Sequence, residues 1–212
     1  MRTALTVTLA AVAALFTVHA QAAEQTRSVA PFTAVSNAGP INLVVEVGKA
    51  QSVVVTGSDE YLQDLRTEVR DGELHIDVHN DSHIDNRHWG DMKVTVTVPR
   101  LTAFTMSGAG HTTLTHVSGD SLDVRWGGAG NLKADGAVRT LTLDVGGVGS
   151  IDARDLHAEN ADVKLGGVGS VKVWASQRLD ASVGGVGSLT YYGEPKQVNT
   201  HGGGLGSISK AR

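Results

Sequence analysis

One short glycine pattern recurs along the second half of the chain and limits its possible folds more than any other feature. Two glycines separated by one residue occur six times, in MSGAGHTTL, WGGAGNLKA, VGGVGSIDA, LGGVGSVKV, VGGVGSLTY and GGGLGSISK. Successive copies are 20, 19, 20, 18 and 19 residues apart. A near-constant period indicates a repeat architecture rather than one binding loop. The paired glycines are Gly108 and Gly110, Gly128 and Gly130, Gly147 and Gly149, Gly167 and Gly169, Gly185 and Gly187, and Gly204 and Gly206.

Apolar and polar residues alternate on both sides of each glycine pair. In the third copy, Leu143 and Val145 precede the pair, with polar Asp144 between them. The alternation resumes after the pair, where apolar Ile151 is followed by polar Asp152. A period of two predicts β-strands with one buried face. Each repeat is therefore a strand, a glycine corner and a second strand.

These repeats predict an all-β fold. No segment after residue 100 has the 3.6-residue period of a helical crossover, so the repeating strands must pair in parallel between coils. The predicted architecture is a single-stranded parallel β-helix, a solenoid with coils of about 19–20 residues. Two rows of outward charges alternate in sign, as favourable stacking between coils requires. They are Arg125, Asp144, Lys164 and Lys133, Asp152, Lys172.

We interpret the paired glycines as structural corners, because glycine permits positive φ angles and close approach of another backbone. We expect the small residue between them, such as Val148, to fit inside the corner. We expect the serine that follows, such as Ser150, to hydrogen-bond the turned backbone. A phosphate loop is excluded, because no copy ends in Gly-Lys-Ser/Thr or opens a helix. Calcium-binding nonapeptide repeats are excluded, because apolar residues such as Ile151 replace their aspartate.

The first 22 residues have the features of a cleavable signal peptide. Arg2 is followed by the apolar run ALTVTLAAVAALFTV, and cleavage is expected before Ala23. No other stretch approaches the length of a membrane span, so the mature chain is expected to be exported and to lack a transmembrane segment. Export leads us to expect a periplasmic, extracellular or cell-surface location.

Composition excludes several classes of function. The chain has no cysteine, which excludes disulfides, thiolate metal sites and a lipid-anchored cysteine. Without the signal peptide, 17 Lys and Arg face 22 Asp and Glu, a net charge of −5. This acidic balance without a basic cluster argues against nucleic acid as a partner.

We expect one continuous domain over residues 23–212 with two kinds of coil. Residues 106–212 hold the regular glycine repeats. Residues 23–105 lack the motif but contain alternating runs such as INLVVEVG, which indicate irregular β coils that close one end of the solenoid. A short helical turn is expected within residues 59–69.

The runs LRTEVRDGELHIDV and VTVTVPRLTAFTMSGAG, together with the serial GGVGS corners, resemble the head GIN domain family, the putative auto-transporter adhesin head domain. The resemblance covers about residues 28–208. It implies a right-handed β-helix in an exported bacterial protein with a role in cell-surface adhesion. It implies no catalytic residue and no cofactor.

Three groups of residues were considered as ligand or reaction sites. The outward row Asp123, Asp162 and Asp180, interrupted by Thr142, is the arrangement suited to a carbohydrate-active enzyme, but a solvated acidic face is the favoured explanation. A histidine-rich segment, HIDVHNDSHIDNRHW, suits zinc or copper, although loops also collect such residues. Aromatic side chains would stack on carbohydrate if exposed, except that Tyr191 falls on the inward register. The candidate metal ligands are His75, His79, His83 and His88, and the aromatic residues are Trp89, Trp174, Tyr191 and Tyr192.

The favoured function is that of a non-catalytic exported β-helix for adhesion or envelope scaffolding. Its expected partner is a cell-surface or envelope component, either glycan or protein, or a second copy of the chain. A polysaccharide-binding or carbohydrate-active solenoid is the first alternative. A periplasmic metal-binding protein that uses the histidine-rich segment is the second.

Overall fold

The computed structural model describes residues 23–78 and 92–211. The predicted signal peptide (1–22), His79, His83, His88 and Trp89 lie outside the described residues. The elements in chain order are β1 (Ala23–Arg27), β2 (Ala34–Asn37), β3 (Asn42–Val47), β4 (Ser52–Gly57), α1 (Asp59–Asp64), β5 (Leu65–Arg70), β6 (Glu73–Val78), β7 (Lys93–Val98), β8 (Ala103–Met106), β9 (Ala109–Trp126), β10 (Ala129–Val145), β11 (Val148–Leu165), β12 (Val168–Val183), β13 (Val186–Tyr192), β14 (Gln197–Gly202) and β15 (Leu205–Lys210).

The regular repeats form the predicted parallel β-helix. Strand β10 pairs in parallel with β9 on one side and with β11 on the other, and β12 continues from β11 in the same sense. This register places Gly149 between Gly130 and Gly169, so the glycine corners stack coil upon coil. The solenoid has about five turns. Both the all-β class and the parallel β-helix are confirmed.

Each coil has three faces. Face A is the segment that leads into a glycine corner, face B is the segment that leaves it, and face C is the short segment that closes the coil. In β10, face B covers residues 129–134, face C covers 136–138 and face A covers 140–145. The register with the neighbouring coils shifts around residues 133–136, where face B turns into face C.

Small aliphatic side chains from all three faces fill the inside of the solenoid. One cluster of buried residues extends from Phe32 to Leu189, through both the irregular and the regular coils. Removal of this apolar surface from water is the main favourable contribution to folding. In β10 the buried side chains are Leu132, Ala134, Val138, Leu141, Leu143 and Val145.

The N-terminal coils are not stacked in chain order. Strand β2 lies between β6 and β8, and β3 lies between β7 and β9, all in parallel. The coil built from β6 and β7 therefore lies outside the earlier coil of β2 and β3. Antiparallel strands extend this outer coil, since β4 pairs with β7, β1 pairs with β4 and β5 pairs with β6. The helical turn expected within residues 59–69 is present as α1.

The alternating charged rows stack as the period predicted. In each row the aspartate lies in register between two basic residues of the neighbouring coils. The rows are Arg125–Asp144–Lys164 and Lys133–Asp152–Lys172.

Two local expectations about the corners were wrong. Val148 does not fit inside the corner but is 56% exposed, because the inward positions are those of Gly147 and Val145 and the strand alternation turns the residue between the glycines outward. The Ser150 hydroxyl lies 3.0 Å from the Ser170 hydroxyl on the next coil. The hydrogen-bond partner of Ser150 is therefore the equivalent serine of the next coil and not the backbone of its own turn.

Candidate functional site

The glycine corners are occupied by their own backbone contacts. In the third corner, the N–H groups of Gly146 and Gly147 donate to the carbonyl of Trp126, each at 2.9 Å. The N–H of Val148 donates to the carbonyl of Gly128 at 2.9 Å. These three donors are used by the preceding coil, so this corner has no cluster of N–H groups that could cradle a phosphate. The geometry supports the structural interpretation of the motif.

An apolar ridge runs along the outside of the stacked corners. The residues between the paired glycines stack in register and point to solvent. We call Val148, Val168, Val186 and Leu205 the corner ridge; their exposed fractions are 56%, 49%, 47% and 83%. The same position is held by Ala109 and Ala129 in the two earlier corners, so the corner itself does not require a large side chain.

A polar row borders the corner ridge on face B. Its members follow the second glycine of each pair and stack in register, and two adjacent pairs of side chains lie within hydrogen-bond distance. The distance between Asn131 Nδ2 and His111 Nδ1 is 3.2 Å, and that between the Ser150 and Ser170 hydroxyls is 3.0 Å. The row contains His111, Asn131, Ser150, Ser170, Ser188 and Ser207.

A second outward column lies on face C, and its side chains change in size along the solenoid. Small Ser118 and Ala137 occupy the earlier coils, and His157, Trp174 and Tyr192 follow in register. The rings of His157 and Trp174 stack, with centroids 4.4 Å apart and planes inclined by 28°. Neighbouring Tyr191 points the other way and packs against the core, in agreement with its predicted inward register.

A recess and a groove adjoin this aromatic column. The recess, about 340 Å³ in volume, is lined by Ala137, Arg139, His157, Glu159 and Trp174, among others. The groove is about 440 Å³ in volume and includes Thr140 and Asn160, which follow Arg139 and Glu159 of the recess in the chain. It is lined by Thr140, Asn160, Gln177, Arg178, Lys196 and Gln197.

Arg154 connects the aromatic column to face B. Its Nε donates to Asp152 Oδ1 at 2.8 Å and its Nη2 donates to Asp152 Oδ2 at 2.6 Å, a two-pronged pair. The same guanidinium lies 5.7 Å from the centre of the Tyr192 ring. The hydrogen bond from Arg154 holds the pKa of the Asp152 carboxyl below its usual value, although partial burial acts in the opposite direction.

The outward acidic row on face A is in register as predicted, with Asp123, Thr142, Asp162 and Asp180 on successive coils. Two of its carboxylates are engaged by neighbours on the same face. Arg125 Nη2 lies 3.3 Å from Asp123 Oδ2, and Asn199 Nδ2 donates to Asp180 Oδ1 at 2.7 Å. The row thus forms a solvated face in which two carboxylates have their own polar partners, which agrees with the explanation of these residues as a solvated acidic face.

The histidine-rich segment is only partly within the described residues. Of the four candidate ligands only His75 is described, and its Nε2 lies 3.5 Å from Glu73 Oε2. No three His, Cys, Asp or Glu residues come together as a metal site within residues 23–78 and 92–211. Metal binding through His75, His79, His83 and His88 stays a prediction, which zinc titration of the unmodified protein would test.

The corner ridge and the face C recess were both missed by sequence reasoning. The ridge had a signal, since GGVGS places an apolar residue at the same step of each repeat. The recess had no signal in the sequence, because its lining depends on which face C residues of successive coils lie next to each other. The register breaks between Ala153 and His157, so that neighbour relation cannot be counted from the glycines.

Comparison with known proteins points to adhesins. The family model described as "Putative auto-transporter adhesin, head GIN domain" matches residues 31–195. No curated protein gives a match. No helix within the described ranges has the length and apolarity that a bilayer crossing requires.

A solved structure of a bacterial protein shares the fold. A putative adhesin from Bacteroides fragilis is 24% identical with a TM-score of 0.74, and the match covers 91% of this chain and 98% of that one. A putative lipid binding protein from Parabacteroides distasonis is 21% identical with a TM-score of 0.48, covering 91% and 98%. A putative adhesin from Parabacteroides merdae is 14% identical with a TM-score of 0.47, covering 91% and 97%. At 24% identity, the first structure shows a shared fold and no more.

Proposed function

The chain belongs to the putative auto-transporter adhesin, head GIN domain family, and from that membership we propose that it is an exported, non-catalytic adhesion module. In this proposal it acts in the periplasm or at the cell surface and holds a protein of the cell envelope or cell surface. The family favours binding rather than catalysis. The engaged carboxylates of the acidic row agree with that role.

The corner ridge is the observation that carries the proposal. Four aliphatic side chains project into solvent at consecutive coils, about 4.8 Å apart, and form one continuous apolar strip. Folding does not require them, since alanine occupies the same place at Ala109 and Ala129. Exposed apolar strips with polar borders are typical of interaction sites.

The chemistry of the ridge favours a protein partner. Its side chains are aliphatic and have neither a ring face for a sugar nor a donor or acceptor. The adjoining hydroxyls of Ser150 and Ser170 already bond each other. An apolar stripe on a partner protein is the surface that such a strip would remove from water most favourably.

The proposal is tested by the binding of labelled protein to intact cells of the organism that encodes it. The double variant Val168→Thr/Val186→Thr keeps the branched shape of both side chains but adds two hydroxyls. We expect it to lose most of the binding, whereas the matched variant Val168→Ile/Val186→Ile retains it.

Treatment of the cells with protease before the assay tests the class of partner. We expect this treatment to abolish binding of the unmodified protein. Equal binding by the threonine and isoleucine variants would contradict the role of the ridge. Binding that survives the protease would contradict a protein partner.

A further inference from the structure

The aromatic column on face C ends abruptly, and the end of the column leaves one side of a ring uncovered. His157 stacks on Trp174 toward one end of the solenoid. On its other side the neighbour in register is Ala137, and the next is Ser118. A methyl group cannot cover an imidazole, and the recess of about 340 Å³ lies at this step. The recess thus has a flat ring as one wall, with Trp174 behind it.

The rim of the recess carries polar groups suited to hydroxyls. Arg139 Nη2 lies 2.8 Å from Asp120 Oδ1, and both side chains are exposed. Glu159 also lines the recess. The two carboxylates outnumber the one guanidinium at the rim, but the groove adds Lys196 and Arg178, whose Nε lies 3.2 Å from Asp180 Oδ2. The charges of the whole site therefore balance, so it offers no excess positive charge to phosphates, uronic acids and other anions. A neutral ligand with several hydroxyl groups meets both donors and acceptors here.

The groove continues the recess around the turn from face C to face A. Residues 139, 159 and 176 line the recess, and their immediate successors Thr140, Asn160 and Gln177 line the groove. Side-chain amides dominate the groove, and each offers both hydrogen-bond donors and an acceptor. The recess of about 340 Å³ and the groove of about 440 Å³ each lie within the size range of ligand sites.

We propose that this continuous site binds a neutral oligosaccharide of at least two sugar units. One sugar ring lies against the His157 imidazole, and the next unit extends along the amides of Asn160 and Gln177. The site uses none of the residues of the corner ridge. It therefore adds a second ligand class to the adhesion module, and it does not depend on the protein partner proposed above.

The experiment titrates the purified protein with cellotriose, maltotriose, laminaritriose and N-acetylated chitotriose, with trigalacturonic acid as the acidic counterpart. Binding is followed by calorimetry and by tryptophan fluorescence, with the Trp174→Phe variant used to identify the contribution of Trp174. We expect at least one neutral trisaccharide to bind. Trigalacturonic acid should bind at least about tenfold more weakly, because a site without excess positive charge does not offset the desolvation of its carboxylates.

Two variants remove the site in different ways. His157→Ala removes the ring wall, and Ala137→Leu fills the recess from an exposed position without touching the core. Each is expected to weaken trisaccharide binding by about tenfold or more, the size of one aromatic stacking contact. The ridge variant Val168→Thr/Val186→Thr serves as the matched control and should bind the trisaccharide normally.

Several results would overturn the assignment. These are failure of all four neutral trisaccharides to bind at about 10 mM, the affinity range of the weakest specific ligands, or equal binding of trigalacturonic acid. Unchanged affinity in both folded site variants would also overturn it, as would loss of sugar binding in the ridge control. Circular dichroism and thermal unfolding verify that each variant keeps the fold.

Discussion

Gly149 lies directly beside Gly130 of the preceding coil, and a Cβ atom on Gly149 would overlap the Gly130 carbonyl oxygen. Its φ angle of +149° is also one that other residues rarely adopt. Two independent constraints therefore require glycine at this position. Gly146, two positions before the Val148 corner residue, has neither constraint, since a Cβ there would meet nothing within 4 Å.

The first prediction compares these two glycines. We expect Gly149→Ala to lower the free energy of unfolding by about 3 kcal/mol or more, because the neighbouring backbone must move and the φ angle is strained. Gly146→Ala should change it by no more than about 0.5 kcal/mol. Urea unfolding of the two variants measures the difference, and similar losses in both would show that the corner does not depend on close backbone approach.

The second prediction concerns Asn37, which closes the first corner where the glycine pair is missing. Its side chain is fully buried, and its Oδ1 accepts a hydrogen bond from the N–H of Gly39 at 3.0 Å. Asn37→Ala should destabilise the protein by about 2 kcal/mol, since a buried N–H loses its acceptor. Ser36→Ala, at the adjacent half-buried position, is the control and should have a small effect on the urea midpoint.

The third prediction concerns pH and the Asp152–Arg154 pair. Because the pKa of Asp152 is lowered from its usual 3.8, the folded state gains stability from the ionised carboxylate above about pH 3.8, and loses that gain as the pH falls through the lower folded value. Both groups are partly exposed, so we expect Asp152→Asn to cost only about 0.5–1 kcal/mol at pH 7. This difference from the unmodified protein should vanish near pH 2.

Denaturant unfolding from pH 7 to pH 2 measures this effect. Arg154→Gln should give the same profile, since it removes the other half of the pair. Lys172, a neighbour of Asp152 in register, also lowers the pKa of Asp152 and remains in both variants. A cost of Asp152→Asn that is equal at pH 7 and pH 2 would contradict the assignment.

The fourth prediction concerns Trp126, the largest side chain at the corner position of face A. It is 1% exposed, and its Nε1 has no hydrogen-bond partner among the described residues. Trp126→Ala should cost about 3–5 kcal/mol through the cavity it leaves. Trp126→Phe should cost clearly less, because it retains most of the volume and removes an unpartnered N–H. Thermal unfolding of the two variants should separate them by many degrees.

The regular coils could be predicted because one signal is repeated with little variation. Leu143, Val145 and Ile151 are buried around the third glycine pair, and equivalent apolar residues recur in the other repeats. Strand direction, the inward residues and the stacking of Asp144 with its neighbours therefore follow from counting along the sequence. The orientation of Val148 could have followed from the same alternation. The prediction for Val148 is wrong because a small side chain fits an outward position as well as an inward one, and the alternation places it outward.

The N-terminal order and the face C site could not be obtained in this way. Nothing in the alternating run INLVVEVG states that β3 will lie between β7 and β9, since that choice depends on competing strand pairings far along the chain. Likewise, the neighbour of His157 depends on how many residues each coil uses between faces B and C. That number changes between β10, β11 and β12.

The placement of β2 and β3 has a consequence for the order in which the chain can assemble. Ala34 pairs with Ala103, a partner made 69 residues later, and its other neighbour, Glu73, also emerges after it. The coil of β2 and β3 thus lies between two coils that both come later in the chain, and its strand pairing is complete only after both have been made. The solenoid therefore cannot form coil by coil from the first strand onward. Each later repeat needs only the adjacent repeat as a partner, so the regular coils can pair before β2 and β3 have both of their neighbours.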